Sequence, residues 1–217
     1  MSDIPDLALR HEALAPRIAT TKPPLLVLLH GYGSNEEDLL QITPYLPDQL
    51  QIVSLRAPFM LMPGSNAWFA IEPSSNGLIC DVTQAQQALV VLNESIDDAI
   101  RIYGTDPQQT FVAGFSQGGA MAGLVALSRT DVRGAIIMSG INPLAVTPTL
   151  PTNPCNGDIL IVHGTLDEVV PVSDGQGSRD ALRELGFTVQ YVEYPIGHTI
   201  DLRVIGALTG FLNQRLK

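Results

Sequence analysis

"TFVAGFSQGGAMAGL" (110–124) passes from an apolar, β-branched run through a serine set between glycines into a run of small residues and Leu. That is the pattern of a strand turning directly into a helix. At the turn, "GFSQG" fits G-x-S-x-G, in which the serine stands on a sharp, strained strand-to-helix bend. Gly114 and Gly118 suit such a bend because a Cβ at either position would collide with the folded turn. Five residues of this kind arise by chance in a chain of this composition at a rate on the order of one in ten. The reading of Ser116 as a nucleophile therefore depends on what surrounds it.

Similar runs recur along the chain: "LLVLLHG" (25–31), "QIVSLRAP" (51–58), "GAIIMSG" (134–140), "DILIVHG" (158–164) and "FTVQYVEYP" (187–195). Most are apolar without alternation, as expected of strands buried on both faces of a parallel sheet. Helical patterns fall between them. In the clearest, 81–104, Val82, Ala85, Ala88, Leu89, Leu92, Ile96, Ala99, Ile100 and Tyr103 recur three or four apart and Gly104 ends the run. Further helices are expected to begin near Asn35, at Gln117, near Ser173 and near Thr199. Alternating strand and helix predicts an α/β fold with a mainly parallel sheet, flanked by helices, in a single domain over 1–217. Two long connections stand out: 57–79, rich in Pro, Gly and Ser yet carrying Phe59, Met62, Trp68 and Phe69, and the Pro-rich 141–157. Loops of such length are often functional.

Composition narrows the function classes. Of 217 residues, 45% are hydrophobic and 16% charged, enough for a large core. A net charge of −10 repels phosphate backbones and anionic lipid surfaces, so nucleic acid is not an expected partner. Cys80 and Cys155 form no C-x-x-C pair and read as ordinary free thiols in a reducing compartment. No basic, apolar leader opens the chain and no apolar run is long enough to span a bilayer. The expectation is a cytoplasmic protein without stable membrane insertion. "GYGSNE" (31–36) resembles half of a dinucleotide fingerprint, but Glu36 stands where the third glycine belongs. P-loop and metal-helix motifs are missing, so no cofactor and no metal is expected.

A nucleophilic serine needs a base and an acid that orients it, and in folds with this elbow the chain order is Ser, then Asp or Glu, then His. Of the four histidines only His198, in "YPIGHTI", follows such an acid and the last strand pattern. Asp167, in "HGTLDEVVP", sits past the C-terminal end of a strand, the sheet edge where ligand sites collect. Glu168 and Asp174 are its rivals. His30 and His163 stand at strand ends before glycines and read as structural, with rings hydrogen-bonded to nearby loop backbone. The oxyanion of a tetrahedral intermediate needs backbone N–H donors: Gln117, next to the nucleophile at a helix N-terminus, and Tyr32 in the glycine loop.

The segments "LLHGYGSNEEDL", "RAP", "AWF", "VAGFSQGGAMA", "HGTLDEVVP" and "GHTI", in that order, resemble the phospholipase/carboxylesterases, small α/β-hydrolases that include the acyl-protein thioesterases. The resemblance implies Ser116, Asp167 and His198 as catalytic residues and backbone donors at Tyr32 and Gln117. It also implies no large cap domain, no cofactor, and hydrolysis of carboxylic esters or thioesters through an acyl-enzyme; the expected substrates are small to medium acyl esters, with thioesters or lysophospholipids beside them. The family's acyl groove corresponds to 57–79, which makes Phe59, Met62, Trp68 and Phe69 candidate substrate-binding residues. "MSGINPL" departs from the family where relatives often carry an aromatic, at Ile141 and Asn142, which bears on the acyl pocket. Amide, peptide or lactone hydrolysis on the same triad, or a non-catalytic binder on the same fold, are the alternatives. The apolar loop suits a substrate, a lipid or another subunit equally, so an oligomer stays open.

Overall fold

Leu25–Leu29 is the middle of the molecule: all five side chains have no solvent-accessible surface. Leu25, Val27 and Leu29 join the apolar cluster on one face of the sheet, and Leu26 and Leu28 join the cluster on the other. An unbroken apolar run is what a strand covered on both sides requires. The computed structural model describes residues 6–74, 77–147 and 157–216. Cys155 lies outside these residues.

In chain order the strands are β1 (His11–Leu14), β2 (Leu25–Leu29), β3 (Gln51–Leu55), β4 (Phe59–Met62), β5 (Ser65–Ala67), β6 (Ile71–Ser74), β7 (Gly77–Cys80), β8 (Thr110–Phe115), β9 (Val132–Met138), β10 (Asp158–Gly164) and β11 (Thr188–Tyr194). The α-helices are α1 (Val82–Tyr103), α2 (Gln117–Ser128), α3 (Val172–Glu184) and α4 (Leu202–Asn213). The main sheet has seven strands in the order β1-β3-β2-β8-β9-β10-β11. Among the described residues of this sheet only β1 runs antiparallel to its neighbour. Buried residues of α1, α2 and α3 pack on one face, and those of α4 and the 3-10 helix Asp38–Tyr45 on the other. This is the α/β architecture expected of the sequence. Among the described residues no helix is long and apolar enough to cross a membrane.

The caps explain the sharp ends of α1. Asp81 accepts from the Gln84 amide at 3.0 Å, and Gly104 closes the helix with φ +61°, the left-handed C-terminal geometry glycine favours. Three features differ from the sequence reading. The helix expected near Asn35 is a 3-10 helix, Asp38–Tyr45, with Pro44 inside it; Pro lacks the amide an α-helix would use there. The segment 57–79 is two antiparallel hairpins, β4-β5 and β6-β7, the first turning through Gly64 at φ +81°. The edge strand β1 carries only four residues of mixed burial, too few for a periodic signal.

Candidate active site

Ser116 follows β8 and precedes α2, with φ 55° and ψ −117°. For a residue with a Cβ that is a strained backbone, the kind over-determined by its surroundings at functional sites. The surroundings are tight here. A Cβ on Gly114 would strike the Gly118 carbonyl, and one on Gly118 would strike the Leu29 carbonyl. The Ser116 amide is itself tied to the Met138 carbonyl at 2.9 Å. Ser116 keeps 8% of its surface exposed.

Asp167 lies past the end of β10, with a fully buried carboxylate. Its Oδ1 accepts from the amides of Val169 at 3.0 Å and Val170 at 2.9 Å. Oδ2 accepts from His198 Nδ1 at 2.8 Å. Burial alone would push this carboxyl's pKa up, but the bonds from His198, Val170 and Val169 outweigh it and hold the pKa below the ordinary value. With Nδ1 donating, His198 presents Nε2 as an acceptor, the tautomer a general base requires. The His198 ring stacks against Phe115, the residue before Ser116, with centroids 4.7 Å apart. The imidazole is thus beside the end of the strand that leads into Ser116, although no hydrogen bond joins it to Ser116 in this structure. Catalytic hydrogen bonds often tighten only when substrate arrives. Of the rival acids, Asp174 lies in the first turn of α3 and accepts weakly from the Asn142 amide at 3.3 Å.

The two other strand-end histidines hold backbone. His30 is fully buried: its Nδ1 donates to the Gly31 carbonyl at 2.7 Å and its Nε2 accepts from the Ala57 amide at 3.0 Å. Accepting at Nε2 makes the ring neutral, in line with a pKa lowered by burial. His163 Nε2 donates to the Val170 carbonyl at 2.9 Å, bracing the same turn that Asp167 holds.

Gly31 lies close to Ser116, since a Cβ on it would fall 3.5 Å from that of the serine. In this loop Gly33 and Ser34 spend their amides on the Asn66 and Gly31 carbonyls, at 2.9 and 3.3 Å. The amides of Tyr32 and Gln117 have no protein partner among the described residues. Two unused donors therefore adjoin Gly31 and Ser116, one of them at the N-terminus of α2. Glu36, on the same loop, is completely buried and paired with Arg56 (2.5 and 2.6 Å) and Arg10 (3.0 Å), so its charge is taken up internally rather than presented to a ligand.

The four candidate substrate-binding residues divide. Phe59 is half-buried and packs on the α1–α3 face, while Met62 is 62% exposed on the first hairpin. Trp68 and Phe69 have no exposed surface at all, so neither lines an open groove in this structure. Trp68 Nε1 donates to the His30 carbonyl at 2.9 Å and its ring lies against His30. The segment is anchored by the Gln117 side chain, a role beyond the backbone one expected of that residue. Gln117 Oε1 accepts from the Trp68 amide and its Nε2 donates to the Phe69 carbonyl, both at 2.7 Å. The available signal was a single long amide opening a helix otherwise made of small and apolar residues. Ile141 is buried and Asn142 caps the 3-10 helix Pro143–Val146 through the Leu144 amide. Among the described residues no cluster of His, Cys, Asp and Glu could hold a metal ion.

Comparison with known proteins places the chain among esterases and thioesterases. A probable carboxylesterase from Oryza sativa subsp. japonica is 32% identical over 189 residues, covering 79% of this chain and 80% of that protein. Acyl-protein thioesterase 1 of Neurospora crassa is 29% identical and covers 97% of this chain and 94% of its own. Among solved structures, the crystal structure of esterase PE8 superposes with a TM-score of 0.82 at 28% identity, over 96% of this chain and 99% of that one. The model of the family described as Phospholipase/Carboxylesterase matches residues 16–216. The chain belongs to the phospholipase/carboxylesterase family.

Proposed function

We propose that the protein is a serine carboxylesterase acting on small to medium acyl esters, with Ser116 as nucleophile, His198 as general base and Asp167 as the acid that orients it. The observation that carries this reading is the 2.8 Å bond from His198 Nδ1 to a buried Asp167, with the imidazole against the residue preceding a strained serine. Ser116 Oγ attacks the ester carbonyl carbon as its proton passes to His198 Nε2. The carbonyl oxygen becomes an oxyanion held by the Tyr32 and Gln117 amides. Collapse of the tetrahedral intermediate breaks the ester C–O bond, and the imidazolium returns its proton to the departing alcohol. Water, activated by the same imidazole, then cleaves the acyl-serine and releases the carboxylic acid.

Thioesters are a second reading within the same chemistry, supported by the Neurospora crassa relative named as an acyl-protein thioesterase. On this proposal residues 1–217 form one domain without a large cap, and Phe59 and Met62 contribute to the acyl side of the site. A cytoplasmic location is also part of it, supported by the free thiol of Cys80. A fluorophosphonate probe is expected to label Ser116 and abolish turnover of p-nitrophenyl butyrate. An enzyme that stays unlabelled and active would overturn the assignment of Ser116.

A further inference from the structure

A cavity of about 360 Å³ opens beside His198, lined by Phe115, Leu39, Ile42 and Ile205 on its apolar walls and by Asp38 and Gln41 among its polar ones. That volume lies in the range of small-molecule sites, roughly 300–1,000 Å³. We propose that this cavity receives the alcohol half of the ester, and that Asp38 makes it select neutral and cationic leaving groups over anionic ones. The inference rests on the reading of Ser116 and His198 as nucleophile and base.

The assignment to the alcohol follows from the proton's route. The base that deprotonates the serine must hand its proton to the leaving oxygen, so that oxygen sits within hydrogen-bond reach of the imidazole. The cavity wall includes His198 and Phe115, the residue before Ser116, so it adjoins the imidazole to which the leaving oxygen must come. The acyl half has a separate side. Phe59 packs with the apolar cluster on the α1–α3 face of the sheet, whereas Leu39, Ile42, Phe115 and Ile205 belong to the cluster on the α4 face. The two halves of an ester bound at Ser116 thus extend to opposite faces.

The preference for charge follows from the walls. Asp38 is half-buried, accepts no hydrogen bond and forms no ion pair among the described residues. Among the described residues no Lys or Arg lines the cavity, and the chain's net charge of −10 adds to the same field. A phosphate- or sulfonate-bearing alcohol would face an unscreened carboxylate at close range, while a quaternary ammonium would sit over apolar walls with its charge beside Asp38.

Butyrylcholine, 3,3-dimethylbutyl butyrate and 2-sulfoethyl butyrate test this, with methyl butyrate as reference. All four yield the same butyryl-enzyme, so kcat/KM compares only the steps in which the leaving group is present. The wild type is expected to prefer butyrylcholine over its uncharged isostere by about 5- to 10-fold, with the sulfonate poorest, and to lose that order at high salt. Asp38→Asn should bring the choline-to-isostere ratio close to one, while Glu94→Gln, on the exposed side of α1, should preserve it. Gln41→Trp, which fills the mouth, should lower turnover of butyrylcholine at least about 5-fold more than that of methyl butyrate. A ratio near one in the wild type, an unchanged ratio in Asp38→Asn, or an equal loss on both esters in Gln41→Trp overturns the inference. A wild type inert on methyl butyrate overturns the esterase reading itself.

Discussion

Gln117→Ala measures what this side chain contributes to the fold and, through it, to the proposed oxyanion site. Truncation removes two hydrogen bonds of 2.7 Å and leaves the Trp68 amide and the Phe69 carbonyl without partners. Both residues and Gln117 itself are completely buried, so water does not reach these groups without opening the core. An unsatisfied buried backbone group costs about 1–3 kcal/mol. Two of them give a loss of roughly 2–6 kcal/mol, against total stabilities of about 5–15 kcal/mol. At about 2–4 °C per kcal/mol for a chain of this size, Tm should fall by roughly 4–24 °C. The segment that slips also carries the Trp68 bond to the His30 carbonyl, which adjoins Gly31 and the Tyr32 amide. Turnover of p-nitrophenyl butyrate at 20 °C, on protein still folded, should therefore drop at least about 10-fold, the scale of losing one well-aimed oxyanion donor in part. Gln117→Glu provides a sharper sign. Its carboxylate still accepts from Trp68 but cannot donate to Phe69, and protonation restores that donor. The deficit of this variant relative to wild type should shrink as pH falls from 8 to 5. Urea unfolding of Gln117→Ala within 1 kcal/mol of wild type, with unchanged kcat, would refute the reasoning.

Three further outcomes are expected. Asp167→Asn keeps an acceptor for the Val169 and Val170 amides but turns an amide N–H₂ toward His198 Nδ1; kcat should fall by about 10⁴ from the wrong tautomer, with little change in Tm by calorimetry. Glu36 is buried, which would raise its pKa, yet its bonds to Arg56 outweigh that and the pKa is lowered. A carboxyl lowered on folding stabilises the native state above its unfolded pKa, and that contribution is lost as pH falls through the folded value; Tm measured from pH 6 to 3 should therefore decline less steeply in Glu36→Gln than in wild type, and parallel slopes would contradict this. Burial pushes the Cys80 thiol up to about 11, so at pH 8 its thiolate is scarce and iodoacetamide should modify it roughly 100-fold more slowly than an ordinary exposed thiol, as peptide mass mapping would report.

Much of the fold was legible because the signals were redundant. Each of the central strands is an apolar run ended by glycine or a polar residue, and α1 carries both its caps in sequence. The elbow was legible for a different reason: it needs glycine at 114 and 118, and no other residue fits so close to the Gly118 and Leu29 carbonyls. Asp167 and His198 could be selected by chain order, and the structure joins them at 2.8 Å. What escaped reading depends on contacts between segments far apart in sequence. Trp68 and Phe69 in a Pro- and Gly-rich connection look like groove aromatics, because nothing local reports that a glutamine nearly fifty residues away pins their backbone inside the core. The hairpins of 59–80 are short and their pairing is set by turns such as Gly64, with no alternating pattern long enough to read. The cavity beside His198 joins residues of a 3-10 helix to residues of α4, an adjacency that only the packed sheet creates.

A site built on loops at the end of a sheet must have those loops held in place. The loops here are held largely by side chains that hydrogen-bond to backbone, alongside the Glu36–Arg56 and Asp167–His198 side-chain pairs. His30 fixes the Gly31 carbonyl and the Ala57 amide; Gln117 fixes Trp68 and Phe69; His163 and Asp167 together fix Val169 and Val170. In each case the residue stands at the C-terminal end of a strand or the start of the helix that follows, where the sheet itself sets its position. Asp167 and Gln117 serve twice, since the same residues that anchor a loop also face the proposed chemistry, Asp167 through Oδ2 and Gln117 through its amide. Removing either side chain therefore disturbs geometry and electrostatics together. That is why substitutions preserving shape, Asp167→Asn and Gln117→Glu, discriminate between the two contributions where alanine cannot.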